Sequence, residues 1–177
     1  MKLLLHGLML GLVLLSAPSA THLSHADSLG ADSVKSGFVY NFSKFVEWPG
    51  GALPPGGPMH LCVVGHALDG KLNQLDGRQS QGRSIHVRNL NASGDYSGCH
   101  ILYIAASEER RLNTVLNAVA NNPVLTISDI GEFPESGGMI GLTVINERVS
   151  FAINLSAMRA AGLKPSAQLL RLGRVVQ

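Results

Sequence analysis

Two cysteines, Cys62 and Cys99, each stand close to a histidine, in His60-Leu61-Cys62 and in Cys99-His100. Four such side chains are the right types to hold zinc, which takes Cys and His in a tetrahedron. The spacing is poor for that chemistry. No Cys-x-x-Cys pair is present, and His60 and Cys62 share one face of any strand that carries them. An oxidising compartment offers the alternative, a disulfide closing the loop between the two cysteines, which in chain-entropy terms stabilises by roughly 3–4 kcal/mol. Other patterns carry less. Gly65-His66-Ala67-Leu68-Asp69-Gly70-Lys71-Leu72 follows an apolar run and fits the start of a phosphate loop. Leu72 stands where a magnesium-holding hydroxyl belongs, however, and Asp69 would set a carboxylate in the anion cradle. Gly-x-Ser-x-Gly, Ser-x-x-Lys and His-Glu-x-x-His patterns are absent. His60, His66, His86 and His100 lie in or beside apolar runs, and Glu108-Glu109 are sequence neighbours that would not share a helix face. The residues make no case for an enzyme, a metal site or a cofactor.

The elements that would position these residues begin after an apparent leader. Lys2 precedes the apolar run Leu3–Leu15, shorter than the roughly 20 residues a membrane span needs, and this suits a secretory signal over residues 1–26. Cleavage is expected after Ala20 or Ala26; Ser24-His25-Ala26 fits the small-x-small rule better. Residues 27–177 then form one domain, exported to the periplasm, and no second apolar stretch reaches spanning length. Lys and Arg total 14 against 12 Asp and Glu. With Arg110-Arg111 the only adjacent basic pair, the chain offers no footprint for nucleic acid.

Asp32-Ser33 would cap a helix whose apolar face is Val34, Phe38, Phe42 and Phe45, with Gly37 open to a neighbouring backbone; Pro49 ends it. From Pro49 to Pro58 all but Ala52 and Leu53 are Gly or Pro, which predicts a loop. Strands are expected at Leu61–Val64 and Ser84–Arg88. A central strand at Ile101–Ala105 is followed by a helix capped by Ser107, with Leu112, Val115, Leu116 and Val119 on its core side. Val124–Ser128 should pair in parallel with the central strand, and Met139–Ile145 with Val149–Asn154 should form a hairpin. Ser156–Ala161 and a segment restarting at Pro165-Ser166 close the chain as short helices around Gly162. The fold class is α/β: one domain, a mixed, mostly parallel sheet of five or six strands with a C-terminal hairpin, and helices on both faces.

Five of the nine aromatic residues fall between Phe38 and Trp48. Three belong to the core stripe, which leaves Tyr40 and Trp48 as contact candidates. Val34-Lys35-Ser36-Gly37-Phe38-Val39-Tyr40-Asn41-Phe42-Ser43-Lys44-Phe45-Val46-Glu47-Trp48-Pro49, Leu61-Cys62-Val63-Val64-Gly65 and Cys99-His100-Ile101-Leu102-Tyr103-Ile104 come in that order. Val124-Leu125-Thr126-Ile127-Ser128-Asp129, Gly137-Gly138-Met139-Ile140 and Phe151-Ala152-Ile153-Asn154 follow them. In this sequence and order the segments resemble the YfiR family of periplasmic regulatory proteins.

The resemblance implies a compact, often dimeric α/β domain without catalytic activity. Such a protein binds the sensor region of an inner-membrane diguanylate cyclase and represses it, keeping cyclic di-GMP and biofilm formation low. An outer-membrane lipoprotein can sequester the regulator. The family's disulfide carries over onto Cys62 and Cys99. Where the family commonly reads Phe-Glu-Ile-Asn, this chain has Ala152 in place of the carboxylate. A partner surface is expected on the C-terminal helices at Met158, Arg159 and Leu163, beside Tyr40 and Trp48. The competing reading is a small-ligand receptor with an apolar pocket over the sheet and the Gly/Pro loop as its lid.

Overall fold

The computed structural model describes residues 23–176. The leader expectation for residues 1–26 falls mostly outside that range. Helix α1 (Leu23–Phe45) leads into strand β1 (Val46–Glu47), which pairs antiparallel with β9 (Lys164–Pro165). The last carbonyls of α1 would otherwise be orphaned. Gln81 Nε2 donates to the carbonyls of Ser43 (2.7 Å) and Val46 (2.8 Å), and the Ser166 N–H donates to that of Phe45 (2.8 Å).

The main sheet is built from β2 (Met59–Val64), β3 (Gln79–Ser80), β4 (Arg83–Leu90), β5 (Ile101–Ile104), β6 (Leu125–Ser128), β7 (Ile140–Ile145), β8 (Arg148–Asn154) and β10 (Arg174–Val176). Its spatial order is β10-β8-β7-β6-β5-β2-β4-β3. The pairs from β4 through β2, β5 and β6 to β7 are parallel, and β8 also pairs in parallel with β10. Antiparallel pairing is confined to β7–β8 and β3–β4. Both antiparallel turns have two residues with positive φ, Gln81-Gly82 and Asn146-Glu147, the left-handed pair that matches strand twist.

Alternate residues of the central strands enter two separate cores. Leu61, Val63, Ile101, Tyr103, Leu125 and Ile127 face Val39 and Phe42 of α1, with Met158 of α3 (Leu155–Ala160) and Leu169 of α4 (Ala167–Leu172). Cys62, Val64, Leu102 and Ile104 face Leu112 and Val115 of α2 (Leu112–Ala118) and Phe133. All four residues of β5 are buried, as the unbroken apolar run Ile101–Ile104 requires of a strand covered on both sides.

Several expectations need correction. The main sheet has eight strands, not five or six. The additional ones are β3 and β10, of two and three residues, too short for any periodicity to register. Asp32 and Ser33 lie inside α1 instead of capping it. The helix also presents a rotated face. Ser36, Val39, Phe42 and Ser43 are buried while Val34 is 49% exposed. Serines can take core positions because Ser36 Oγ donates to the Lys71 carbonyl, while Ser43 Oγ donates to the Tyr40 carbonyl and accepts from Ser80 Oγ. Gly37 faces open space, and no backbone approaches it. Ser107 caps no helix: its Oγ accepts from the His66 N–H at 3.0 Å, and Ala106–Arg111 is a 3-10 turn leading into α2.

Candidate functional site

Cys62 pairs with Leu102 near the start of β5, close to the loop that carries Cys99, and the two cysteines are joined as a disulfide with Cα atoms 5.8 Å apart. Their sulfurs are therefore unavailable as zinc ligands. Among the described residues no three His, Cys, Asp or Glu side chains gather closely enough to hold a metal ion.

The five partner candidates divide. Tyr40 is half-buried; its hydroxyl donates to the Gln79 carbonyl at 2.8 Å, and its ring is flanked by Lys44 and Arg78, each 4.0 Å from the centroid. Hydrogen bonding to Lys44, with the charges of Lys44 and Arg78, holds the phenol below its usual range. Trp48 is half-buried and donates from Nε1 to the His100 carbonyl at 3.3 Å. Arg159 is exposed on α3. Met158 and Leu163, expected on the surface, are buried to 0% and 1% exposure. They pack under α1 and the sheet, because Gly162 (φ +72°) turns the chain back so that Leu163 re-enters the core on which Met158 already sits.

The sequence reading missed an open groove of about 980 Å³ between α1 and the β7–β8 hairpin. Hairpin register creates it. β7 pairs with β6 only at Ile140 and Gly141, so the arm from Thr143 to Ser150 extends beyond the neighbouring strand. Val144 and Ile145 on that arm are 48% and 60% exposed. The base of the hairpin is fixed to α1 by tilted and edge-on aromatic contacts, with Phe151 5.4 Å from Phe38 and 5.0 Å from Phe42. Val34, Phe38, Val144 and Val149 line the groove, with Glu147 and Arg148 at the hairpin end. At the helix end Lys35 Nζ lies 2.8 Å from Asp129 and 3.9 Å from Asp32. Burial raises the Asp32 carboxyl above its ordinary value, and Asp129 and Asp69 add to this against Lys35 and Lys71. The only sequence signal for this surface is that Val144 and Ile145 are both apolar, whereas a half-buried strand alternates.

Two smaller clefts are more polar. One of about 490 Å³ lies at the C-terminal end of β2, lined by His66, Asp69, Asn73 and Asn89. The former phosphate-loop candidate runs through it, but with Leu68, Asp69 and Gly70 all at positive φ and a 3-10 turn, not an α-helix, behind it. The second, also about 490 Å³, is lined by Ala52, Asp95, Tyr96 and His100. Ala52 is the only residue of the Pro49–Pro58 loop lining it, and that loop contributes nothing to the large groove. The loop is therefore not a lid over the apolar concavity.

A family model described as YfiR/HmsC-like matches residues 32–174, nearly all of the described chain. The chain belongs to the YfiR/HmsC-like family. YfiR-like proteins are a regulatory family and not a known family of enzymes. The match covers the disulfide, both faces of the sheet and the groove. No described helix is long and apolar enough to cross a membrane.

Proposed function

We propose that this YfiR-like chain is an exported, periplasmic regulator that represses an inner-membrane diguanylate cyclase by binding its sensor region. The observation that carries the reading is the exposed apolar arm of β7–β8 and the groove beside it. Isolated apolar residues at a surface are ordinary, but a contiguous set flanking a concavity marks a contact surface. Val34, Val144 and half-buried Phe38 form such a set. Repression by contact is a population shift. A regulator that holds a receptor 99:1 in its inactive state must prefer that state by about 5.5 kcal/mol. A homodimer would present this surface twice to a two-fold receptor. An outer-membrane lipoprotein that covered the same surface would relieve the repression.

The direct test is binding of the purified chain to the isolated sensor region. Val144→Glu should weaken binding at least tenfold, and a change confined to the opposite face, Glu109→Ala, should leave it unchanged. Equal affinity for wild type and Val144→Glu would refute the groove as the contact. A small apolar ligand in the groove is the competing reading. It predicts a rise in melting temperature with ligand and no measurable affinity for the sensor region.

A further inference from the structure

The Gly/Pro loop from Pro49 to Pro58 has almost no side chains with which to anchor itself, yet two residues, Arg83 and His100, hold it and the preceding Trp48. The Arg83 guanidinium donates to the carbonyls of Pro54 and, at 2.9 Å, Gly57. His100 Nε2 lies 3.2 Å from the Ala52 carbonyl, and the His100 carbonyl accepts from Trp48. The other ring nitrogen of His100, Nδ1, accepts from the His60 backbone N–H at 2.9 Å. A backbone N–H only donates and a carbonyl only accepts. These two partners therefore specify one state of the ring, neutral with its proton on Nε2. A proton on Nδ1 would set two donors against one another and remove the bond to β2.

Among the described residues no anion pairs with His100. The His60 ring stacks on it at 5.7 Å with the planes 9° apart, and His86 stands edge-on to His60 at 5.9 Å. His60 Nδ1 is buried and has no hydrogen-bond partner. The charged and titratable groups facing the pair are His86, Arg88 and Arg83, all from β4. Asp95 lines the same cleft as His100, but its carboxylate accepts from the Ser97 N–H and hydroxyl at 2.8 and 2.7 Å. We propose that His60 and His100 form a pH-sensitive latch: a proton on His100 Nδ1 opposes the His60 N–H and displaces the ring from β2, and Trp48 and the 49–58 loop, held through His100, come away from the sheet with it.

The direction follows from the environment. Burial holds both imidazoles below the ordinary histidine value, with Arg88 and His86 adding to this at His60, and His60 and Arg83 at His100 against the Ala52 carbonyl. In the open state they return towards that value, so the closed state binds fewer protons. The latch is therefore fully shut above about pH 6.5 and loosens as pH falls towards the closed-state values. Within that window the open-to-closed ratio rises up to about tenfold per pH unit for one proton and about a hundredfold for two. The consequence for regulation rests on the partner-binding reading, since Trp48 is a contact candidate; the latch itself does not.

Trp48 is the only tryptophan in the chain, so its fluorescence reports the latch directly on the intact protein. Between pH 7.5 and pH 5 its emission should shift reversibly to the red and become accessible to a quencher, with far-ultraviolet circular dichroism unchanged. His100→Gln, whose amide can accept from His60 and donate to Ala52 at every pH, should lose most of that response. Amide exchange over residues 49–64, corrected for its intrinsic pH dependence, gives a second measurement that needs no variant, and it should rise at least tenfold at pH 5.5. Trp48 emission that is flat with pH, or an equal shift in His100→Gln, would overturn the latch. A normal latch with pH-independent binding to the sensor region would support the latch and remove Trp48 from the contact surface.

Discussion

Removing the Cys62–Cys99 bond tests how much of the fold depends on one cross-link. The bond closes a separation of 37 residues, for which the chain-entropy relation gives about 4 kcal/mol. Small domains have about 5–15 kcal/mol in all, so this is about a quarter or more of the total. At about 2–4 °C per kcal/mol for a domain of this size, the melting temperature should fall by roughly 8–15 °C. Both cysteines are buried, at 0% and 5% exposure, so alanine is the less disruptive replacement. A cross-link needs both ends. Cys62→Ala and Cys99→Ala should therefore each lose nearly the whole amount, and the double variant little more. Urea unfolding of wild type with and without reductant, beside the three variants, gives the comparison. Thiol titration of the denatured protein should find no free thiol before reduction and two after it. A loss below about 1 kcal/mol in the alanine variants, or single losses that simply add, would refute this reasoning.

Other perturbations separate packing from contact. A Cβ at Gly138 would come within 2.2 Å of the fully buried Phe133 ring, so Gly138→Ala should cost about 2–3 kcal/mol by denaturant unfolding. Met158→Ala removes a side chain with no exposure and should cost about 2–5 kcal/mol, with any loss of partner binding following the unfolded fraction. Val144→Glu, at a position 48% exposed, should instead leave stability within about 0.5 kcal/mol while weakening binding, as measured by the same unfolding curve and a titration.

The sequence was legible where a physical constraint acts over several residues. The unbroken run Ile101–Ile104 had to be a strand covered on both faces, and the stretch from Ile140 to Asn154 had to turn where Asn146 and Glu147 break the apolar pattern. It was opaque where the constraint is tertiary. β3 and β10 exist because a neighbouring edge accepts them, with only two and three residues of their own. The buried face of α1 includes Ser36 and Ser43, whose hydroxyl partners lie at Lys71, Tyr40 and Ser80, so an apolar stripe alone points to the wrong side. Met158 and Leu163 show the same limit at the candidate site. Apolar residues beside an Arg on a short helix read identically whether they face a partner or a core. The groove was invisible for another reason: it arises where β7 outruns β6, and strand ends cannot be set to the residue from periodicity.

The central claim is that the chain works by holding a cyclase off through surface contact. Cellular cyclic di-GMP tests it most directly, in a strain lacking the gene and in that strain supplied with wild type or Val144→Glu. The account predicts that the nucleotide rises on deletion, returns to its original level with wild type, and stays high with the folded variant. Levels that do not change on deletion, or that Val144→Glu restores as fully as wild type, would contradict it.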